Sequence, residues 1–254
     1  MNADIGFMLI CSALVFFMTP GLACFYGGLV RKKNAVNTMM TSIFIIGTGI
    51  VMWVLFGYSL SFAPTDNGII GNFSWLGLEG VSLKKGYTDS ATIPNMVFCC
   101  FQMMFAVITP ALITGSVAGR MKFKSLFVFI ILWSIVVYYP LAHMVWAQDG
   151  LLGLDGIGAL DFAGGDVVHI SSGVSALILC ILLGKRKDYD HAAYRVHNIP
   201  TVMIGASLLM FGWFGFNAGS ALSANGQAAH AFMTTAVSAA AALLSWMLCD
   251  VIKN

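Results

Sequence analysis

His169 lies in an apolar run that continues to Gly184, and its approach reads Asp161-Phe162-Ala163-Gly164-Gly165-Asp166-Val167-Val168-His169. An ionisable side chain at membrane depth costs a few kcal/mol or more, so by default it marks a route for a substrate, an ion or a proton. The plainer alternative is an imidazole satisfied by a neighbouring helix. Asp161 precedes His169 by about two helical turns, which puts Asp161, Gly165 and His169 on broadly one face. An aspartate there serves either as a cation ligand at an outer mouth or as a cap on the free N–H groups of a helix start. Asp166 pairs with His169 or with a polar neighbour on another helix, and is not assigned to a pathway. Trp146 closes Pro140-Leu141-Ala142-His143-Met144-Val145-Trp146, where composition alone makes it an interfacial anchor. Phe101 and Phe105 are four apart and share a helical face, as packing residues also do. No nucleophilic triad, phosphate loop or metal-ligand set stands in the chain, so no enzyme activity, cofactor or metal is expected.

Helices of bilayer length must position these groups. The chain is 59% hydrophobic and 9% charged, with a mean hydropathy of +0.86, whereas soluble domains carry about 25% charged residues. An all-α, multi-pass membrane protein follows. Seven spans are expected, near 5–30, 35–62, 92–119, 125–147, 162–184, 196–220 and 228–251, each close to the roughly 20 residues a bilayer requires. The polar, small-residue stretch from Ser220 to Gln227 supplies the turn between the last two. The cysteines (Cys11, Cys24, Cys99, Cys100, Cys180 and Cys249) all sit in apolar runs and read as buried fillers. Asp4 stands where a signal peptide would be basic, so the first apolar run is taken as a helix.

Of thirteen basic residues, eleven follow the odd-numbered spans: Arg31, Lys32, Lys33, Arg120, Lys122, Lys124, Lys185, Arg186, Lys187, Arg195 and Lys253. Only Lys84 and Lys85 fall in the alternate loops. That asymmetry puts the odd ends in the cytoplasm and the N-terminus outside. Asp4, Asp66, Glu79, Asp89, Asp149 and Asp155 share the other face, either favouring cations weakly or simply solvating its loops. The first and sixth spans both carry Gly-x-x-x-Phe-x-x-Gly, as Gly21, Phe25, Gly28 and as Gly212, Phe216, Gly219. They run in opposite directions, the arrangement an inverted repeat produces.

The His169 stretch, together with Gly212-Trp213-Phe214-Gly215-Phe216-Asn217-Ala218-Gly219-Ser220, closely resembles the ammonium transporter (Amt/Mep/Rh) family. The resemblance implies eleven helices in two inverted five-helix halves plus a terminal one. Residues 1–190 then form the first repeat, and 191–254 hold the first two helices of the second. It implies transport of ammonium or ammonia, with Phe101, Phe105, Trp146 and Ser220 around an outer cation site. Phe105 and Phe216 become gate rings, His169 one of a pair of pore histidines, and Asp161 a residue that holds the outer mouth in shape. The energetics suit such a site: a cation over an indole gains about 2 kcal/mol when partly desolvated, and the Ser220 hydroxyl can accept a hydrogen bond from it. A homotrimer in the cell membrane, surrounded by lipid and met on its cytoplasmic face by a PII-type regulatory protein, is also implied. The segment 147–160 is slightly longer than the family usually has between this tryptophan and this aspartate, which loosens the placing of Trp146.

Against that plan the chain stops after the seventh helix, and either a truncated product or a piece of a longer protein is expected, without the second pore histidine. An ammonium sensor domain of a larger signalling protein is the alternative reading. A retinal photoreceptor would need a lysine between Ala228 and Cys249, where there is none, and an aquaporin would need Asn-Pro-Ala pairs.

Overall fold

The computed structural model describes residues 2–186, 189 and 194–253. Met1, Lys187, Asn254 and the boundary expected between residues 190 and 191 lie outside the described residues. Seven helices are long and apolar enough to cross a membrane: α1 (Asn2–Leu29), α2 (Lys32–Phe62), α3 (Asn95–Val117), α4 (Phe123–Trp146), α5 (Gly165–Leu183), α6 (Ile199–Gly219) and α7 (Gly226–Lys253). The protein is thus an all-α, multi-pass membrane protein. Among the described residues there is no β-strand, only an isolated bridge between Gly86 and Pro94.

Local chemistry explains where the ends fall. Helix α3 begins directly after Pro94, since a residue preceding proline is held out of the helical region. Asn198 caps α6 by accepting the Thr201 N–H at 3.1 Å. Helix α5 starts at Gly165 rather than the expected 162, because residues 161–164 form the capping turn. Gly164 closes that turn at φ 101°, and a Cβ there would stand 2.6 Å from Val168 Cγ2, so only glycine fits without strain.

Three helices widen into π turns, at Trp53–Gly57 in α2, Ser134–Tyr138 in α4 and Gly165–Ile170 in α5. Such turns carry one residue more than an α turn and recur at functional sites. The third brings His169 under the capping turn, with its N–H bonded to Gly164 O at 2.9 Å.

Helix α3 is the most buried of the seven and α7 the least. The most extensive helix pair is α1 against α6. The glycines of the shared pattern sit at that crossing: a Cβ on Gly21 would lie 2.8 Å from Leu208 Cβ, and Gly212 faces Met18 and the Leu14 carbonyl. Close backbone approach through small residues is how membrane helices associate without a hydrophobic driving force. A serine ties α4 to α5, where Trp133 Nε1 donates to Ser175 Oγ at 2.8 Å. The cysteines depart from the expected uniform burial: Cys11 and Cys99 are buried and Cys249 is exposed, on a helix that packs along little of its length.

The two ends of the bundle differ in charge. Arg31, Lys33, Arg120, Lys185 and Arg186 surround one cavity of about 470 Å³. At the opposite end the Asp4 carboxylate accepts from Ser223 Oγ at 2.9 Å and Ala224 N–H at 2.8 Å, joining the start of α1 to the α6–α7 turn. The long 63–94 connection lies at this same end. It is pinned by Trp75 stacked on Tyr58, 5.5 Å between centroids, and by Tyr87 stacked on Phe98 at 4.6 Å. Burial pushes the Tyr87 phenol above its ordinary range, so it stays a neutral member of this aromatic layer.

Candidate functional site

Between the ends of α3, α4 and α6 lies a cavity of about 320 Å³, bordered by Phe101, Gln102, Phe105, Trp146, Asp161 and Ser220. Four of these were expected at an outer cation site, and they come from α3, α4 and the residue that ends α6. Phe101 and Phe105 are buried and meet edge to face at 4.8 Å. Phe105 in turn meets the Trp146 ring at 5.8 Å, with the planes 87° apart. Thr109 Oγ1 donates to the Phe105 carbonyl at 2.6 Å, fixing that turn just before Pro110. Phe101 reaches its place because Gly219 has no side chain; a Cβ there would stand 2.8 Å from Phe101 Cε2.

Ser220 donates its hydroxyl proton to the Phe216 carbonyl at 2.8 Å. With its proton committed inward, its lone pairs are what it can offer a ligand.

Below the cavity, Phe105 and Phe216 are in contact, 4.5 Å between centroids with planes at 43°. Phe216 is buried and stands 5.9 Å from the His169 ring. Trp213 covers the same imidazole, nearly parallel to it at 10° and 5.6 Å. The order is therefore cavity, phenylalanine pair, histidine. His169 lies off the cavity lining and remains exposed, with two aromatic rings against it. Among the described residues nothing bonds Asp166 to His169.

Asp161 is occupied differently from a free carboxylate. Its Oδ1 accepts the N–H groups of Gly164 and Gly165 at 2.5 and 2.8 Å, and its Oδ2 those of Asp166 and Val167, both at 2.9 Å. These are the orphan donors of the α5 start. The carboxylate has about four acceptor positions, and all four are taken. The Asp161 carbonyl also accepts Trp146 Nε1 at 3.0 Å.

Three residues near the site went unassigned in the sequence. Gln102 adjoins Phe101 and Trp213 precedes Phe216 by three, so a scan for neighbours on the same turn would have found both. His143, three before Trp146, is fully buried; its Nδ1 lies 3.2 Å from Ser61 O and its Nε2 3.6 Å from Asp149 Oδ1. Asp149 Oδ2 accepts the Thr65 N–H at 2.5 Å, so this histidine belongs to a tie between the ends of α2 and α4. Among the described residues no group of three or more metal-ligand side chains occurs.

Comparison with known proteins places the chain in a family. Residues 6–254 match the Ammonium Transporter Family. The ammonium transporter of Bacillus subtilis (strain 168) is 51% identical over 252 residues, covering 99% of this chain and 60% of that protein. The crystal structure of Saccharomyces cerevisiae Mep2 superposes with a TM-score of 0.89 at 36% identity, covering 100% of this chain and 58% of that one. A solved Sensor Amt Protein superposes at 0.86 with 26% identity, covering 97% and 62%. The chain thus spans about 60% of the length of the relatives it matches.

Proposed function

This chain belongs to the Ammonium Transporter Family, and from that membership we propose that it recruits ammonium at an outer aromatic site and passes ammonium or ammonia across the cell membrane. The observation that carries the proposal is the cavity of about 320 Å³ in which Phe101, Phe105, Trp146 and Ser220 converge above the Phe105–Phe216 pair. A monovalent cation there meets π faces and one hydroxyl acceptor. The indole supplies up to about 2 kcal/mol, and so few polar groups cannot replace the hydration shell of a doubly charged ion.

Phe105 and Phe216 then act as a narrow, dry gate. Carrying a full charge past them would cost several kcal/mol, so the ion passes a proton to water on the outer side of the gate, and His169, on the far side, relays the neutral molecule onward. Asp161 works by shaping the mouth. Its carboxylate is committed to α5, and its carbonyl holds Trp146.

The basic end is the cytoplasmic one in this reading and the N-terminus is outside, supported by the gathering of Arg31, Lys33, Arg120, Lys185 and Arg186 at one end. Residues 1–190 and 191–254 belong to two inverted repeats, supported by the glycine-mediated crossing of α1 and α6. A homotrimer and a PII-type protein at the basic end complete the reading.

The likeness to a sensor favours a second reading, an ammonium sensor domain. Reconstitution in liposomes with an internal pH dye separates the two. Transport predicts a protein-dependent response to an ammonium pulse that His169→Ala reduces. Quenching of tryptophan fluorescence by ammonium with no such response would favour the sensor.

A further inference from the structure

We infer that Gln102 is a second hydrogen-bond acceptor for the cation in the outer cavity, and that it sets how strongly ammonium is preferred over its methylated analogue. The inference rests on the proposed cation site and adds a residue to it.

Gln102 is 8% exposed, yet its side-chain oxygen makes no hydrogen bond. Its amide nitrogen likewise has no partner among the described residues. A buried polar group left unpaired is disfavoured unless something met in function pairs it. This one borders the same cavity as Phe101, Trp146 and Ser220. The amide carries oxygen and nitrogen on opposite sides of one plane, so half a rotation about its last bond turns either atom to the cavity at constant volume.

The other polar groups of the lining leave this role open. Asp161 has all four acceptor positions filled by backbone N–H groups. Gln227 is exposed at the start of α7. Ser220 offers lone pairs only, because its proton is held by Phe216 O. A desolvated ammonium brings four N–H donors. Ser220 takes one, the aromatic faces attract the charge as a whole, and Gln102 takes another. Methylammonium still carries three N–H groups, but its methyl must find apolar wall and so fixes how the ion sits, which keeps it from meeting both acceptors at once. Selectivity then follows from whether both acceptors can be met in one orientation.

The test is uptake of ammonium and methylammonium by cells that express the protein and lack other ammonium uptake, with protein in the membrane quantified. Gln102→Met keeps length and volume but removes the acceptor. Its half-saturation for ammonium should rise about tenfold and that for methylammonium less than threefold, so that discrimination shrinks. Gln102→Glu keeps the oxygen and adds charge, and should lower half-saturation for both. A silent Gln102→Met at normal membrane level would overturn the inference, as would Met and Glu variants impaired alike through loss of protein from the membrane. If the unsubstituted protein takes up no ammonium, the proposed function falls and this inference with it. If Trp146→Leu weakens uptake while Gln102→Met does not, the cation site stands and only the role of Gln102 is refuted.

Discussion

Trp146 and Asp161, fifteen residues apart, are joined by a hydrogen bond from the indole Nε1 to the aspartate carbonyl at 3.0 Å. The bond closes the loop between α4 and α5 over the cavity and turns the indole edge toward the start of α5. The indole ring stays edge to face with Phe105.

The indole therefore has two separable roles, cation attraction and loop closure. Trp146→Leu should raise the half-saturation for ammonium by up to about thirtyfold, the equivalent of about 2 kcal/mol. Trp146→Phe keeps an aromatic face and loses only the N–H. It should be milder in uptake yet lose about 1 kcal/mol of stability with the missing hydrogen bond. Methylammonium competition reads the first effect and thermal unfolding in detergent the second. Unaltered competition in the leucine variant would return Trp146 to an anchoring role.

For Asp161 the four N–H contacts fix an order of variants. Asp161→Asn replaces one oxygen by a donor, which then faces other donors, so about half the cap is lost. Asp161→Ala loses all of it, at about 2 kcal/mol, the upper end for a helix cap. Thermal stability should fall from Asp through Asn to Ala, with uptake falling in parallel. A direct cation ligand would behave otherwise: both variants would lose ammonium binding while the melting temperature held.

The two histidines of the region should have opposite phenotypes. His143→Ala removes a fully buried ring and its contact with Ser61 O, costing about 1–3 kcal/mol for the group left unpaired. Transport per correctly inserted molecule should stay near normal. His169→Ala should leave stability nearly unchanged, since the residue is exposed, and depress transport. Measuring uptake per folded protein alongside unfolding temperature checks both. A stable, fully inserted His143→Ala that transports nothing would move that residue into the pathway.

Much of this architecture was legible in the chain, for identifiable reasons. Spans of bilayer length have no competing explanation, and their ends fell within about three residues because Pro94, Asn198 and the Asp161 turn mark them. Asp161 was readable as a cap because aspartate before a helix has a defined local job. The π turns were not readable, since side chains packed from other helices select them over an α turn. Nor does spacing reveal that residues of α3, α4 and α6 meet at one cavity; that expectation came from family resemblance. Gln102 stands beside Phe101 in the sequence, but that its side-chain oxygen lacks a partner shows only in the packing. The tie of His143 to Asp149 depends on a loop fold that no periodicity encodes.

The π turn at Ser134–Tyr138 has a consequence for length variation. Because it holds one residue more than an α turn, removing one residue there leaves an ordinary helix, with Trp133 and Trp146 still at nearly their present azimuths. The same deletion within Phe123–Trp133 has no such slack. It swings one side of the helix by about 100° relative to the other, parting Trp133 from Ser175 or Trp146 from the cavity. Tolerance to single-residue deletion along α4 should therefore be confined to a window of one turn, and a deletion scan would locate it without reference to any ligand.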